Sequence, residues 1–275
     1  MKEIFFLSGL PRAGNTLFGS LMNQNPDVAV TANSITADTM GELFRLKHND
    51  IFKNYPDHKS LNNLAYHVFD LYYKDWNYKY IIDRAPWGMP INLKFLKETR
   101  KNIKIIVLVR DVIEILASLI RFSQRSPDSY INKPWGFRHE NSPTIKQYKA
   151  KNIEEKCHML MNKDGVIVKE LIAIKHLLLP QNKGLYHMIE YNDLVEHPKR
   201  IIEEIYDYLE IPKFKHRYIN LDQFEVNGMK YDDDIVGEGL HTIKTDAISK
   251  SKYDAYSIVP KNIIEKYQEC NFWKG

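Results

Sequence analysis

The 275-residue chain has little cysteine: Cys157 and Cys270 only, in no CxxC or metal-ligand spacing. That spacing argues against a secreted disulfide framework and points to a reduced compartment. Long hydrophobic runs are missing as well. The apolar stretch in Met1-Lys2-Glu3-Ile4-Phe5-Phe6-Leu7-Ser8 is too short for a signal-peptide core, and no segment reaches the roughly 18 apolar residues of a membrane helix. A soluble, cytoplasmic protein without membrane contact is expected. Charge of one sign is scarce: 39 basic against 35 acidic residues leave +4. That excess suits a small anionic ligand and is no nucleic-acid footprint by itself. Internal repeats, heptads and Pro/Gly/Ser tracts are absent too, so fibrous and disordered classes are excluded. One α/β domain over residues 1–275 is the simplest organisation.

What is present is a repeated grammar of short buried strands and helices. Residues 4–7 are wholly apolar and end at Ser8-Gly9, as a strand covered on both faces does. A glycine-bounded turn follows, then helical spacing over 16–23 with Leu17, Leu21 and Met22, stopped at Asn25-Pro26. Strands are predicted again at 80–82, 103–109 and 186–189. Helices follow at 93–98, after Arg110-Asp111 (Ile113, Leu116, Ala117, Ile120 on one face) and at 198–209 (Ile201, Ile202, Ile205, Leu209 inward). Alternation of this kind implies an α/β fold, a three-layer parallel sheet with helices on both faces. Residues 123–143 and 227–252 lack periodicity and are predicted as long loops.

The turn Gly9-Leu10-Pro11-Arg12-Ala13-Gly14-Asn15-Thr16 has the glycine spacing of a P-loop, GxxxxGK(S/T). Such a loop gathers backbone N–H groups at a helix N-terminus, where an anion fits. The lysine position holds Asn15, however, and the loop's only cation is Arg12. Pro11 through Leu17 resembles the PRSGTTL loop of sulfotransferases, where it binds the 5′-phosphosulfate of 3′-phosphoadenosine 5′-phosphosulfate (PAPS). The arginine form is most similar to the tyrosylprotein and bacterial carbohydrate branches. The resemblance implies donor contacts from Pro11, Arg12, Ala13, Gly14, Asn15 and Thr16.

A second match is Leu108-Val109-Arg110-Asp111 with Ser118 downstream, which resembles the family's LVRDPxxxxxS signature, although Val112 stands at the proline. The resemblance implies that Arg110 and Ser118 hold the 3′-phosphate. An arginine at the end of a parallel strand faces the ligand crevice of such folds, and its fork grips phosphate with two hydrogen bonds. Asp83-Arg84-Ala85-Pro86 resembles the family's DKxP segment, which implies that Arg84 contacts the transferring group. Glu190-Tyr191-Asn192-Asp193-Leu194 resembles YEDL and implies Tyr191 near the donor. Lys244 is the choice for the basic loop near the C-terminus, with Lys250 and Lys252 as substitutes. The likeness spans residues 3–244.

It implies a PAPS-dependent sulfotransferase moving a sulfuryl group to a hydroxyl, with an amine in second place. The acceptor would be a small molecule, a saccharide or a peptide; the co-product is adenosine 3′,5′-bisphosphate, and no metal is required. Arg12 and Arg84 are the expected catalytic cations. The tyrosylprotein branch places its basic glutamate near Asn33, which cannot accept a proton. Asp38 is the preferred base, ahead of Glu42, His139 and His241. Two other classes stay open. An atypical P-loop kinase or NTPase would need a Mg-binding aspartate, for which Asp83 is the contender. A binding module for anionic polymers would use Arg121, Arg125, Lys133 and Arg138 with Trp135 and Phe137.

Overall fold

The structure, a computed structural model, describes residues 2–132, 152–163, 165–250 and 252–274. Its centre is a five-stranded parallel sheet: β1 (Glu3–Gly9), β2 (Val28–Val30), β3 (Tyr80–Arg84), β4 (Ile105–Val109) and β5 (Tyr186–Glu190), in the order β2-β3-β1-β4-β5. Phe6, Leu7 and every residue of β4 are sealed from solvent, as strands between two helix layers must be. The helices around it are α1 (Asn15–Met22), α2 (Thr36–Leu46), α3 (Asp50–Asn54), α4 (His58–Tyr72), α5 (Pro90–Thr99) and α6 (Val112–Arg125). After these come α7 (Ile153–Leu160), α8 (Val166–Leu177), α9 (Tyr191–Glu196), α10 (Pro198–Leu209) and α11 (Lys261–Tyr267). None of the described helices is long and apolar enough to cross a membrane.

The α/β expectation is met, with local differences. Asp83 and Arg84 belong to β3 rather than to the loop after it. Helix α6 runs on through Arg125, so the segment predicted as a loop begins three residues later. Its burial explains the extension, because Phe122 and Ser123 are still packed inside. Residues 133–143 of that loop, with Lys133, Trp135, Phe137, Arg138 and His139, lie outside the described residues. A small antiparallel hairpin, β6 (Glu225–Val226) with β7 (Met229–Lys230), straddles the start of the loop predicted at 227–252. Asn227 and Gly228 carry φ of 50° and 75°, the mirror-image turn that Asn-Gly favours between strands.

The register places the functional loops. Leu7 pairs with Arg84 and Gly9 with Leu108, so the loops after β1, β3 and β4 leave the sheet side by side at its carboxyl edge. The chain crosses from β1 towards β2 in one direction and later towards β4 in the other. That reversal opens the crevice in which such sheets hold ligands. At α6 the Asp111 carboxylate accepts from the Ile113 and Glu114 amides, and Asn271 Oδ1 accepts from the Val112 amide. Three otherwise orphaned donors are thereby satisfied, fixing the helix start beside Arg110.

Candidate active site

The first loop is shaped by two residues in the left-handed region, Arg12 at φ 62° and Gly14 at φ 88°. For arginine this conformation is strained by about 1 kcal/mol or more, a cost that tends to gather at functional sites. Gly14 is required twice over, since a Cβ there would also sit 3.1 Å from Leu194 and 3.2 Å from Tyr191. No side chain caps α1 and its first turn holds no acidic residue, which leaves its N-terminal end favourable to an anion. Asn15 does not imitate a P-loop lysine: its Nδ2 donates to the Leu10 carbonyl (2.8 Å), bracing the turn from inside. Ala13 is buried behind the loop.

The second anchor locks directly onto the first. Arg110 Nη1 donates to the Arg12 carbonyl (3.0 Å), and Arg12 Nε donates to Ser118 Oγ (3.2 Å). Ser118 lies two turns into α6, and the packing of that helix returns it to the loop. Arg110 is oriented by Glu114 (Nε to Oε2, 2.9 Å) and lies 4.1 Å above the Tyr191 ring. Tyr191 is thus the platform for Arg110. The half-buried Arg12 side chain also donates through Nη1 to the Leu240 carbonyl, tying in the C-terminal loop. Burial, reinforced by the charge of Arg110, holds the Arg12 pKa below its ordinary value. Two cations in close apposition define a place for a multiply charged anion.

Arg84 closes a third side. Its Nη1 donates to the Ala32 carbonyl (3.3 Å) and the Tyr231 hydroxyl (3.2 Å), while its amide donates to Thr31 Oγ1 (2.8 Å). Asp83, the preceding residue, turns to the other face of the strand. There it accepts from Tyr73 Oη, Thr36 Oγ1 (2.8 Å) and Trp87 Nε1 (3.0 Å), and burial raises its pKa. Asp83 fastens the segment after β2 to β3; it is no open magnesium ligand.

His241 comes from the C-terminal loop. Its Nδ1 meets Asp233 Oδ1 (2.5 Å), its amide donates to Asp233 Oδ2 (2.9 Å), and its ring stacks on Tyr231 at 3.7 Å and 5°. Burial, with Arg84 and Arg12 nearby, pushes the His241 pKa below its ordinary 6.5 despite Asp233 pulling the other way. The imidazole is therefore neutral at neutral pH, and Nε2 is the nitrogen left to take a proton.

A cavity of about 250 Å³ joins these groups: Pro11, Arg12, Gly14, Asn15, Thr16, Arg84, Arg110, Ser118, Tyr191, His241 and Lys244 all line it. Lys244 Nζ reaches Ser249 Oγ (3.2 Å) at the exposed rim, whereas Lys250 pairs with Glu196 and Lys252 is exposed. Asp38 is not brought in. It stands exposed in the first turn of α2, outside the cavity wall, and Glu42 on the same helix pairs with Arg45. Arg121 lies over Tyr253, and Arg125 is exposed. Sequence reasoning missed Glu114, Tyr231 and Asp233. The spacing of Arg110 and Glu114, four apart at a helix start, was a usable signal; Asp233 and His241 have none, because only a loop joins them.

The model of the sulfotransferase family matches residues 5–216, so the chain belongs to that family, a family of transferases. No curated protein matches it. Among solved structures the chain is similar to mouse sulfotransferase SULT7A1 complexed with PAP, with a TM-score of 0.54 at 12% identity over 99% of this chain and 83% of that one. A sulfotransferase domain from the curacin biosynthetic pathway gives 0.48 at 15%, covering 97% and 90%. A sulfotransferase from Alicyclobacillus acidocaldarius gives 0.48 at 12%, covering 86% and 88%. At these identities the likeness concerns the fold.

Proposed function

We propose that this protein transfers a sulfuryl group from PAPS to a hydroxyl acceptor and releases adenosine 3′,5′-bisphosphate. One observation carries the reading: the amide-lined loop at Arg12 and the Arg110–Ser118 pair are interlocked in a single cavity. The 3′- and 5′-phosphates of that nucleotide sit on one ribose, so neighbouring anion sites suit it. A 5′-triphosphate would leave the second site unused. With Asp83 enclosed by three donors and no lysine in the loop, the kinase reading lacks both its metal ligand and its phosphate contact.

The roles follow from position. The loop amides and the α1 N-terminus hold the 5′-phosphate, Arg110 and Ser118 the 3′-phosphate, and Lys244 adds charge at the rim. As the sulfur–oxygen bond to the phosphate breaks, negative charge grows on the leaving oxygen, and Arg12 and Arg84 stabilise it. The acceptor oxygen forms the new bond to sulfur and gives its proton to His241 Nε2, with Asp233 holding the ring in the productive tautomer. His241 replaces Asp38 in this role because the histidine lines the cavity and the aspartate does not. A base on the C-terminal loop, with Asn33 after β2, argues against protein tyrosine as the acceptor.

Incubation with PAPS in EDTA decides the matter. The expected outcome is slow, metal-independent conversion to the bisphosphate with water as acceptor. Magnesium-dependent ATP turnover, with PAPS left intact, would overturn the proposal.

A further inference from the structure

A carboxylate one residue from a phosphate-binding arginine is a liability, because it competes for the guanidinium and repels the incoming anion. Asp111 stands in that place. No ion pair joins it to Arg110 among the described residues; the acid at Arg110 is Glu114, and the cation at Asp111 is Lys274. Asp111 Oδ1 accepts from the Ile113 and Glu114 amides. Its Oδ2 accepts from Asn271 Nδ2 (2.8 Å), Lys274 Nζ (3.0 Å) and the Tyr256 hydroxyl (3.5 Å). A carboxylate has about four lone-pair sites, so these five donors leave nothing for a guanidinium.

The outer donors come from far along the chain. Two 3₁₀ turns, Gln268–Cys270 and Phe272–Lys274, follow α11, with Asn271 at their junction. Phe272 and Trp273 pack half-buried against the core, and the Lys274 amide donates to the Asn271 carbonyl (3.0 Å). Asn271 Oδ1 takes the Val112 amide (2.8 Å) while Nδ2 faces Asp111, so both ends of its side-chain amide are used and its orientation is fixed. Only 11% of the Asp111 side chain is exposed, against 44% of Lys274, so this ion pair is partly withdrawn from screening by salt.

We propose that Asn271 and Lys274 are positioning residues of the phosphate site: they saturate Asp111 and balance its charge, leaving Arg110 to the 3′-phosphate of the nucleotide. The inference rests on the sulfuryl-transfer reading above. Neither residue lines the cavity; both act on Arg110 through Asp111. The two carboxylates near Arg110 are thereby given different tasks. Glu114 orients the fork through Nε, beside the Arg12 carbonyl on Nη1 and the Tyr191 ring. Asp111 is turned into the start of α6 and the 268–274 segment.

The test is calorimetric titration with adenosine 3′,5′-bisphosphate and with 5′-AMP on wild type, Asn271→Ala, Lys274→Met and the double variant Lys274→Met/Asp111→Asn. Lys274 is exposed, and losing one such pair should leave the fold intact even if Asn271→Ala loosens it. Lys274→Met should weaken the bisphosphate about fivefold and Asn271→Ala about tenfold, with 5′-AMP within about twofold for both. Adding Asp111→Asn to Lys274→Met should restore most of the bisphosphate affinity, because asparagine still caps α6 but carries no charge to balance. A clamp that merely holds the fold together predicts the reverse, a further loss in the double variant. Unchanged bisphosphate affinity in Lys274→Met, equal losses for the two ligands, or no rescue by Asp111→Asn would overturn the role of Asn271 and Lys274 and leave the transfer reading standing. Failure of wild type to bind the bisphosphate would remove both.

Discussion

The two halves of the cavity are built by different means. Arg12, Arg110 and Ser118 sit on the ends of β1 and β4 and on α6, among the most deeply buried elements of the molecule. Arg110 donates to the Arg12 carbonyl and Arg12 to Ser118, with Glu114 and Tyr191 set against Arg110. Tyr231, His241 and Lys244 sit on an irregular segment joined to the rest by Arg12 and Arg84 reaching across, by Gln223 paired with Ile243, and by the Leu221 and Tyr130 amides donating to the Thr245 and Val236 carbonyls. The first half is the one we propose as the receptor for charge. The second has its own backbone ties and meets the first through Arg12 on the Leu240 carbonyl, so we expect substitutions in the loop to disturb the first half less than the reverse.

That asymmetry orders the expected effects of substitution. Arg110→Ala removes a buried fork and unties the Arg12 carbonyl. We expect adenosine 3′,5′-bisphosphate affinity to fall about 100-fold, the equivalent of roughly 2.7 kcal/mol, with a much smaller loss for 5′-AMP. Equal losses in a calorimetric comparison would mean that Arg110 does not read the 3′-phosphate. His241→Gln should lower PAPS turnover by about 100-fold while leaving bisphosphate affinity nearly intact. A parallel loss of affinity would show that the loop shapes the receptor after all.

Acidity offers a third contrast. Burial depresses the His241 pKa, so the active neutral ring persists on acidification past 6.5 and is protonated only below it. Turnover should fall there as pH drops, and that limb should vanish in His241→Gln; a limb that survives assigns it elsewhere. Gly14→Ala forces a φ of 88° on a residue with a Cβ and crowds Tyr191, the platform of Arg110. A stability loss of about 1–2 kcal/mol by urea titration is expected, with weaker nucleotide binding. Lys244→Ala, at the exposed rim, should cost least, about twofold to threefold in affinity, and that cost should shrink in salt.

The same divide explains what the sequence disclosed. Glycine spacing and an apolar run that stops at arginine are local patterns, so the loop after β1 and the arginine after β4 were legible. So was helix 198–209, where Pro198 opens the first turn and four apolar residues keep strict spacing. Helix α4 escaped notice because it buries only Ala65 and Phe69, too thin a stripe to stand out. The candidate base shows the same divide. Asp38 lies near the family's glutamate in the chain, but α2 turns it outward, and the pairing of His241 with Asp233 arises only when a loop folds back.

The most direct measurement is calorimetric titration of the wild-type protein with adenosine 3′,5′-bisphosphate and, in parallel, with 5′-AMP. The interlocked anion sites predict micromolar affinity for the first and at least about 100-fold weaker binding of the second. Equal affinities, or no heat from the bisphosphate at millimolar concentration, would contradict the account.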